Sequence, residues 1–206
     1  MLAAKQGLSS HDPTWFLGPT ACHTAIVAIL VASCSRAGSQ QTRDWTLTGD
    51  GLGPLAICTS LDAVDSTFRS ARDTVLQSEG AQWPAKIVTL GNGMVLFESS
   101  WVDKSRVWTI TATSPDVRTS RGYHAGMPLI ALKAAGESLA VKVPEGRLLL
   151  VLIRDRIALT IDSSSEKRFF SGEHLSGPLS IADVAADAQI RSLSTLGGCS
   201  QTIGKE

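Results

Sequence analysis

The chain has 206 residues, 43% of them hydrophobic and 18% charged, enough apolar content for a packed core in one domain or two small ones. Its 19 basic and 19 acidic residues cancel, and no Lys/Arg run exceeds two, so the electrostatic footprint of a nucleic-acid binder is missing. Beyond the first third of the chain no apolar run approaches the roughly 20 residues needed to span a bilayer as a helix.

In chain order the first feature is Ala25–Ala32, AIVAILVA, an uninterrupted apolar run that ends at Ser33 and Cys34. A run of about 7–15 residues has the length of a signal-peptide core and is too short for a transmembrane helix. The flank from Ser35 to Gln41 is small and polar. Val31-Ala32-Ser33-Cys34 resembles the lipobox of bacterial lipoproteins, an aliphatic residue and two small ones before the cysteine that receives lipid. The resemblance implies that residues 1–33 are a signal peptide, that Cys34 is lipidated, and that residues 34–44 are a flexible tether. Ser35 directly after the cysteine implies an outer-membrane lipoprotein facing the periplasm. Several acyl chains on one cysteine would anchor it stably, making the membrane its expected partner.

Cleavage there changes the cysteine arithmetic. Cys22 is discarded and Cys34 acylated, which leaves Cys58 and Cys199 in an oxidising compartment. An even remainder suggests one disulfide; two free buried thiols are the alternative.

The expected domain covers residues 45–199, followed by a tail at 200–206. Gly49-Asp50-Gly51-Leu52-Gly53 reads as a flexible turn leading into it. Ser60 is a good N-cap, and Leu61, Val64 and Phe68 then share one helical face. Strands are expected at Lys86–Leu90 and Met94–Ser99, joined by the hairpin-forming Gly91-Asn92-Gly93, and at Arg106–Ala112. A second helix is expected from Pro128, with Leu129 and Leu132 as its stripe and Gly136 as its stop. Strands at Leu139–Val143, Leu148–Ile153 and Ile157–Asp162 follow it, and a last one near Pro178–Val184 is expected to pair with Arg106–Ala112.

The order helix then meander occurs twice, and PLAICTSLDAV (54–64) aligns with GYHAGMPLIAL (122–132) so that Cys58 faces Gly126 and Leu61 faces Leu129. The sequence therefore points to an α+β fold of two similar units, about 54–115 and 122–184. Each would be a helix followed by an antiparallel β-meander, with the helices on one face of the sheet. Gly126-Met127-Pro128 with Leu129, Leu132 and Gly136 resembles the repeat of β-lactamase-inhibitor-like proteins and the related SmpA/OmlA-type lipoproteins. That resemblance implies a protein-binding module rather than a catalyst.

The residues themselves offer little chemistry. There is no Gly-x-Ser-x-Gly, phosphate loop, HExxH, CxxC or Cys/His cluster, so neither a cofactor nor a metal is expected. His124 lies in the loop Arg121-Gly122-Tyr123-His124, and His174 lies in a polar turn. Glu98, Asp103 and Asp155 are the carboxylates a glycosidase-type pair would draw on, but no spacing singles them out. Trp101 and Trp108 flank the polar stretch around Asp103-Lys104 and stand out in a chain that is 5% aromatic. Trp108 reads as core; Trp101 remains open to either role. Two functional readings follow. The first is a non-enzymatic envelope lipoprotein that binds another envelope protein or assists assembly, using Trp101, Arg121, Tyr123 and His124. The alternative is a small periplasmic hydrolase or ligand-binding protein with a pocket between the units.

Overall fold

Runs that alternate apolar and polar residues make most of this domain strand. The computed structural model describes residues 45–171 and 179–199. The lipobox, the tether, His174 and the 200–206 tail lie outside those residues. The first strands are β1 (Trp45–Thr48), β2 (Gly51–Leu52), β3 (Leu55–Ala56) and, much later in the chain, β8 (Val117–Thr119). They form a small sheet in the order β3-β2-β1-β8, in which β1 and β8 run parallel. The remaining strands are β4 (Arg72–Ser78), β5 (Ala81–Leu90), β6 (Gly93–Ser99), β7 (Val107–Ala112), β9 (Leu139–Lys142), β10 (Leu149–Leu152), β11 (Ile157–Ile161) and β12 (Ile190–Thr195). They form one eight-stranded antiparallel sheet in the order β4-β5-β6-β7-β12-β11-β10-β9.

Its register sorts the side chains into two faces. Val88, Val95, Ala112, Leu193, Leu159 and Leu150 are cross-strand partners in sequence across five strand pairs. All are fully buried on the inner face. The same core cluster takes in Leu47 and Val117 from the small sheet and residues from three short helices. The helices are α1 (Asp62–Thr67), α2 (Leu129–Ala134) and α3 (Ser163–Phe170). At the sheet edge the inner face carries Lys86, nearly buried and paired with Asp65 at 2.8 Å and Asp73 at 2.6 Å. The outer face is lined with hydroxyls that bond across strands, Thr111 with Ser194 at 2.9 Å and Thr160 with Ser192 at 2.6 Å.

This architecture corrects the sequence expectation. The domain is mainly β, with two sheets, and is not two helix-plus-meander units at 54–115 and 122–184 with helices layered on one face. The apolar spacing around Leu61 and Leu129 is genuine, but each helix stops after six residues. Phe68 is already extended, so Leu61, Val64 and Phe68 reach the core without a third helical turn. Residues 49–53, expected as a flexible entry turn, lie within the small sheet, with Gly51–Leu52 forming β2 between β1 and β3. The partner of Arg106–Ala112 is β12 at Ile190–Thr195, whereas Ile181–Asp183 is a single 3-10 turn.

Cys58 and Cys199 are joined as a disulfide, with Cα atoms 5.5 Å apart. The bridge fastens two segments that share the edge of β7 facing away from β6. The β12 strand pairs with Thr111 and Ala112, and residues 58–60 pair farther down, with Val107 N donating to Thr59 O at 2.8 Å and Cys58 N to Val107 O at 2.6 Å.

Asp162 links β11, α3 and β12. Its carboxylate accepts from the Ser164 hydroxyl at 2.5 Å, from Ser165 N at 2.9 Å and from Gln189 N at 2.9 Å. These bonds, the Ser164 hydroxyl foremost, hold its carboxyl well below the usual range. A depressed folded-state pKa gives stability that is present above the unfolded value of about 3.9 and is lost as pH falls below it. Asp162→Ala is therefore expected to cost about 1–2 kcal/mol in urea unfolding at neutral pH, and visibly less near about pH 2. Equal losses at both pH values would contradict capping by the ionised carboxylate.

Candidate functional site

The loop singled out in the sequence, Arg121 to His124, is positioned by the end of β8. Thr119 Oγ1 accepts from Arg121 N at 3.3 Å and Tyr123 N at 3.1 Å, and Gly122 takes a left-handed φ of 82°. The turn aims Arg121 and Tyr123 at two carboxylates from distant segments. Asp155, in the β10–β11 turn, accepts from Arg121 Nη2 at 2.7 Å and Nε at 3.3 Å. Glu137, just after α2, accepts from Arg121 Nη1 and, at 2.5 Å, from the Tyr123 hydroxyl. The guanidinium also lies over the Tyr123 ring, 5.7 Å from its centroid. Glu137 and Asp155 are 7% and 13% exposed at the side chain, so the network is internal. Arg121 and Tyr123 thus join three connections of the domain to one another. His124 is half-buried beside them, its Nδ1 2.8 Å from Ala125 O.

A cleft of about 230 Å³ lies next to this network, where the β1–β2 turn meets the β10–β11 turn. The two turns are pressed together: a Cβ on Gly49 would sit 2.7 Å from Asp155 O. Thr48, Asp50, Ser120, Arg154, Asp155 and Arg156 supply its polar lining, and His124 is not part of it. Asp155 is held by Arg121, and Asp50 lies 3.6 Å from Arg156. Among the described residues no group of three or more His, Cys, Asp or Glu side chains is arranged to hold a metal.

The tryptophans are placed differently. The loop after β6 is shaped by Ser100 and Asp103: Asp103 N donates to Ser100 Oγ at 2.7 Å, and the Asp103 carboxylate accepts from Ser105 N and Oγ. Those Ser105 bonds, the hydroxyl first, hold the Asp103 carboxyl below its ordinary range. The loop so fixed leaves Trp101 71% and Val102 62% exposed. Behind it, a register shift at Glu98/Ser99 makes a β-bulge in β7 opposite. The inner face takes Val107 and Ile110, and Trp108, expected in the core, is left 36% exposed. A Cβ on Gly197 would be 3.0 Å from both Trp108 Nε1 and Thr109 Oγ1, so both side chains emerge on the outer side of the sheet.

Two further residues belong to this end of the outer face. Glu98 lies opposite Ala85 and Thr109, and Trp83 precedes Ala85 by two positions on the same face of β5. Burial pushes the Glu98 carboxyl up. Trp83 was not singled out in the sequence because the strand was expected to begin at Lys86, whereas β5 begins at Ala81. The alternation in Met94–Ser99 already put Glu98 on the face opposite Phe97, which was the available signal.

No protein-family model matches the chain, and no curated protein matches it. The fold is similar to the crystal structure of the uncharacterized protein yfeY from Escherichia coli, with a TM-score of 0.51 and 14% identity. That likeness covers 72% of this chain and 97% of the other. At such identity it speaks for the fold alone.

Proposed function

We propose that this chain is a non-enzymatic, lipid-anchored protein of the bacterial cell envelope that binds another protein through the Trp101 end of its eight-stranded sheet. The observation that carries this reading is the pair Trp101 and Val102, two large apolar side chains held in the open by a hydrogen-bonded loop. An apolar tip costs free energy in water and gains it when covered, and tryptophan dominates the energetics of many interfaces. The bulge that turns Trp108 outward and the hydroxyl-lined face beside it extend the same surface. Arg121 and Tyr123 support the reading only indirectly, by stiffening the scaffold. A hydrolase centred on His124 has less support, since that ring does not line the cleft.

The anchor rests on Val31-Ala32-Ser33-Cys34, and an outer-membrane address rests on Ser35. Both readings can be tested on protein isolated from its own envelope. Mass spectrometry is expected to find an N-terminus at lipid-modified Cys34, and Cys34→Ala is expected to leave the chain unprocessed or released. Crosslinking followed by affinity purification is expected to recover a specific protein that Trp101→Ala loses. An unmodified N-terminus elsewhere removes the anchor; equal recovery with Trp101→Ala removes the proposed surface.

A further inference from the structure

We propose that the outer face near Trp101 receives a basic side chain of the partner, an arginine or lysine, on the Glu98 carboxylate between Trp83 and Trp108; this rests on the protein-binding reading above. The Glu98 side chain has no hydrogen bond and no ion pair among the described residues, although it is half-buried. Other shielded carboxylates of the domain are engaged: Glu137 and Asp155 with Arg121, and Asp162 with Ser164, Ser165 and the Gln189 backbone. Arg106, the residue just before β7, is directed to Asp103 at 3.7 Å. The Glu98 carboxyl is left partly stripped of water, with no cation to answer it among the described residues.

The neighbours of Glu98 select the same charge. Trp83 and Trp108 flank its position on the outer face, and an indole ring is the strongest aromatic partner for a cation. A carboxylate and an indole ring both favour a positive group, and a guanidinium can bond the carboxylate while stacking on an indole. A neutral saccharide would stack on the rings but gain little from the charge. The raised Glu98 pKa agrees with this, because an arriving cation would restore what burial withholds.

The test uses the full chain and a short oligo-arginine peptide, with the neutral oligo-citrulline peptide as its isostere, read by tryptophan fluorescence and calorimetry. Saturable binding is expected for oligo-arginine and not for oligo-citrulline. Glu98→Gln, which keeps size and shape, is expected to weaken it by about tenfold or more, the scale of one lost charge-assisted bond. Glu145→Gln, at an exposed carboxylate in the turn before β10, is expected to leave it unchanged, which separates a site from general attraction to acidic surface. Equal binding of Glu98→Gln and the native chain, or equal binding of the two peptides, would overturn the proposal. Crosslinking in the envelope distinguishes the two readings. A partner captured equally by Glu98→Gln overturns the cation subsite and leaves protein binding intact. Glu98-dependent peptide binding with no captured protein supports the subsite and overturns the protein-binding reading.

Discussion

Opening the Cys58–Cys199 bridge is expected to remove about 4–5 kcal/mol of stability, on the chain-entropy account of a loop this long. The bridge spans 141 residues, so it constrains nearly the whole described domain when the chain unfolds. In the folded state it secures residues 58–60 and the end of β12 along the same edge of β7. It also helps retain Cys58 at a φ of 71°, a left-handed conformation that a residue with a side chain adopts at a cost. Urea unfolding of Cys199→Ser against the native oxidised chain checks this. A lower midpoint with a steeper slope is expected, because the uncrosslinked unfolded chain exposes more surface; a loss under about 1 kcal/mol would mean that the β7 edge holds without its clamp.

Arg121→Ala is expected to cost about 3–5 kcal/mol, the range for removing one member of a buried ionic group and leaving the others unpaired. Glu137 and Asp155 are both largely buried and approach the same guanidinium, so its loss leaves two facing carboxylates without their cation. Arg121→Lys should recover only part, because a point ammonium cannot make the forked contacts to both acids. The only tyrosine in the chain, Tyr123, reports on the network directly. Burial first, and then its hydrogen bond to Glu137, push its hydroxyl pKa up. A raised folded-state pKa means the linked stability is present below the unfolded value of about 10 and is lost as pH rises through the folded one. Ultraviolet titration should therefore show a single late ionisation in the native chain. A normal tyrosine titration in the folded protein would contradict the buried network.

Most strands of the large sheet are visible in the sequence because their signals are local. Gly91-Asn92-Gly93 makes the β5–β6 turn, and alternation in Val107–Ala112 and Ile157–Ile161 marks strands that the structure contains. The small sheet gives no such signal. Its strands are two to four residues long, and β1 finds its parallel partner β8 only through the folded chain. The helical spacing at Leu61-Val64-Phe68 could not distinguish six helical residues from three turns, because the core receives Phe68 equally well from extended backbone. That difference turns an expected helix-layered fold into a mainly β one.

The site was legible in a similar way. Arg121-Gly122-Tyr123 looked like a contact loop because its acceptors, Glu137 and Asp155, are far away in sequence. Ion pairing between distant segments leaves no periodic trace. Trp108 read as core because strict alternation cannot register the bulge that places Glu98 and Ser99 against three residues of β7. Trp101 was identifiable as a hairpin-tip aromatic, but the Ser100–Asp103 bonds that hold it in the open appear only in three dimensions.

The most direct measurement is site-specific photocrosslinking in the native envelope, with the reactive group placed in turn at Trp101, Trp108 and Ile130. Ile130 is 53% exposed on α2, a comparably open apolar position away from the tryptophan end of the sheet. One specific protein adduct from positions 101 and 108, and none from 130, is the expected result. Adducts of the same pattern from all three positions, or from 130 alone, would contradict the assignment of this sheet end as the binding surface.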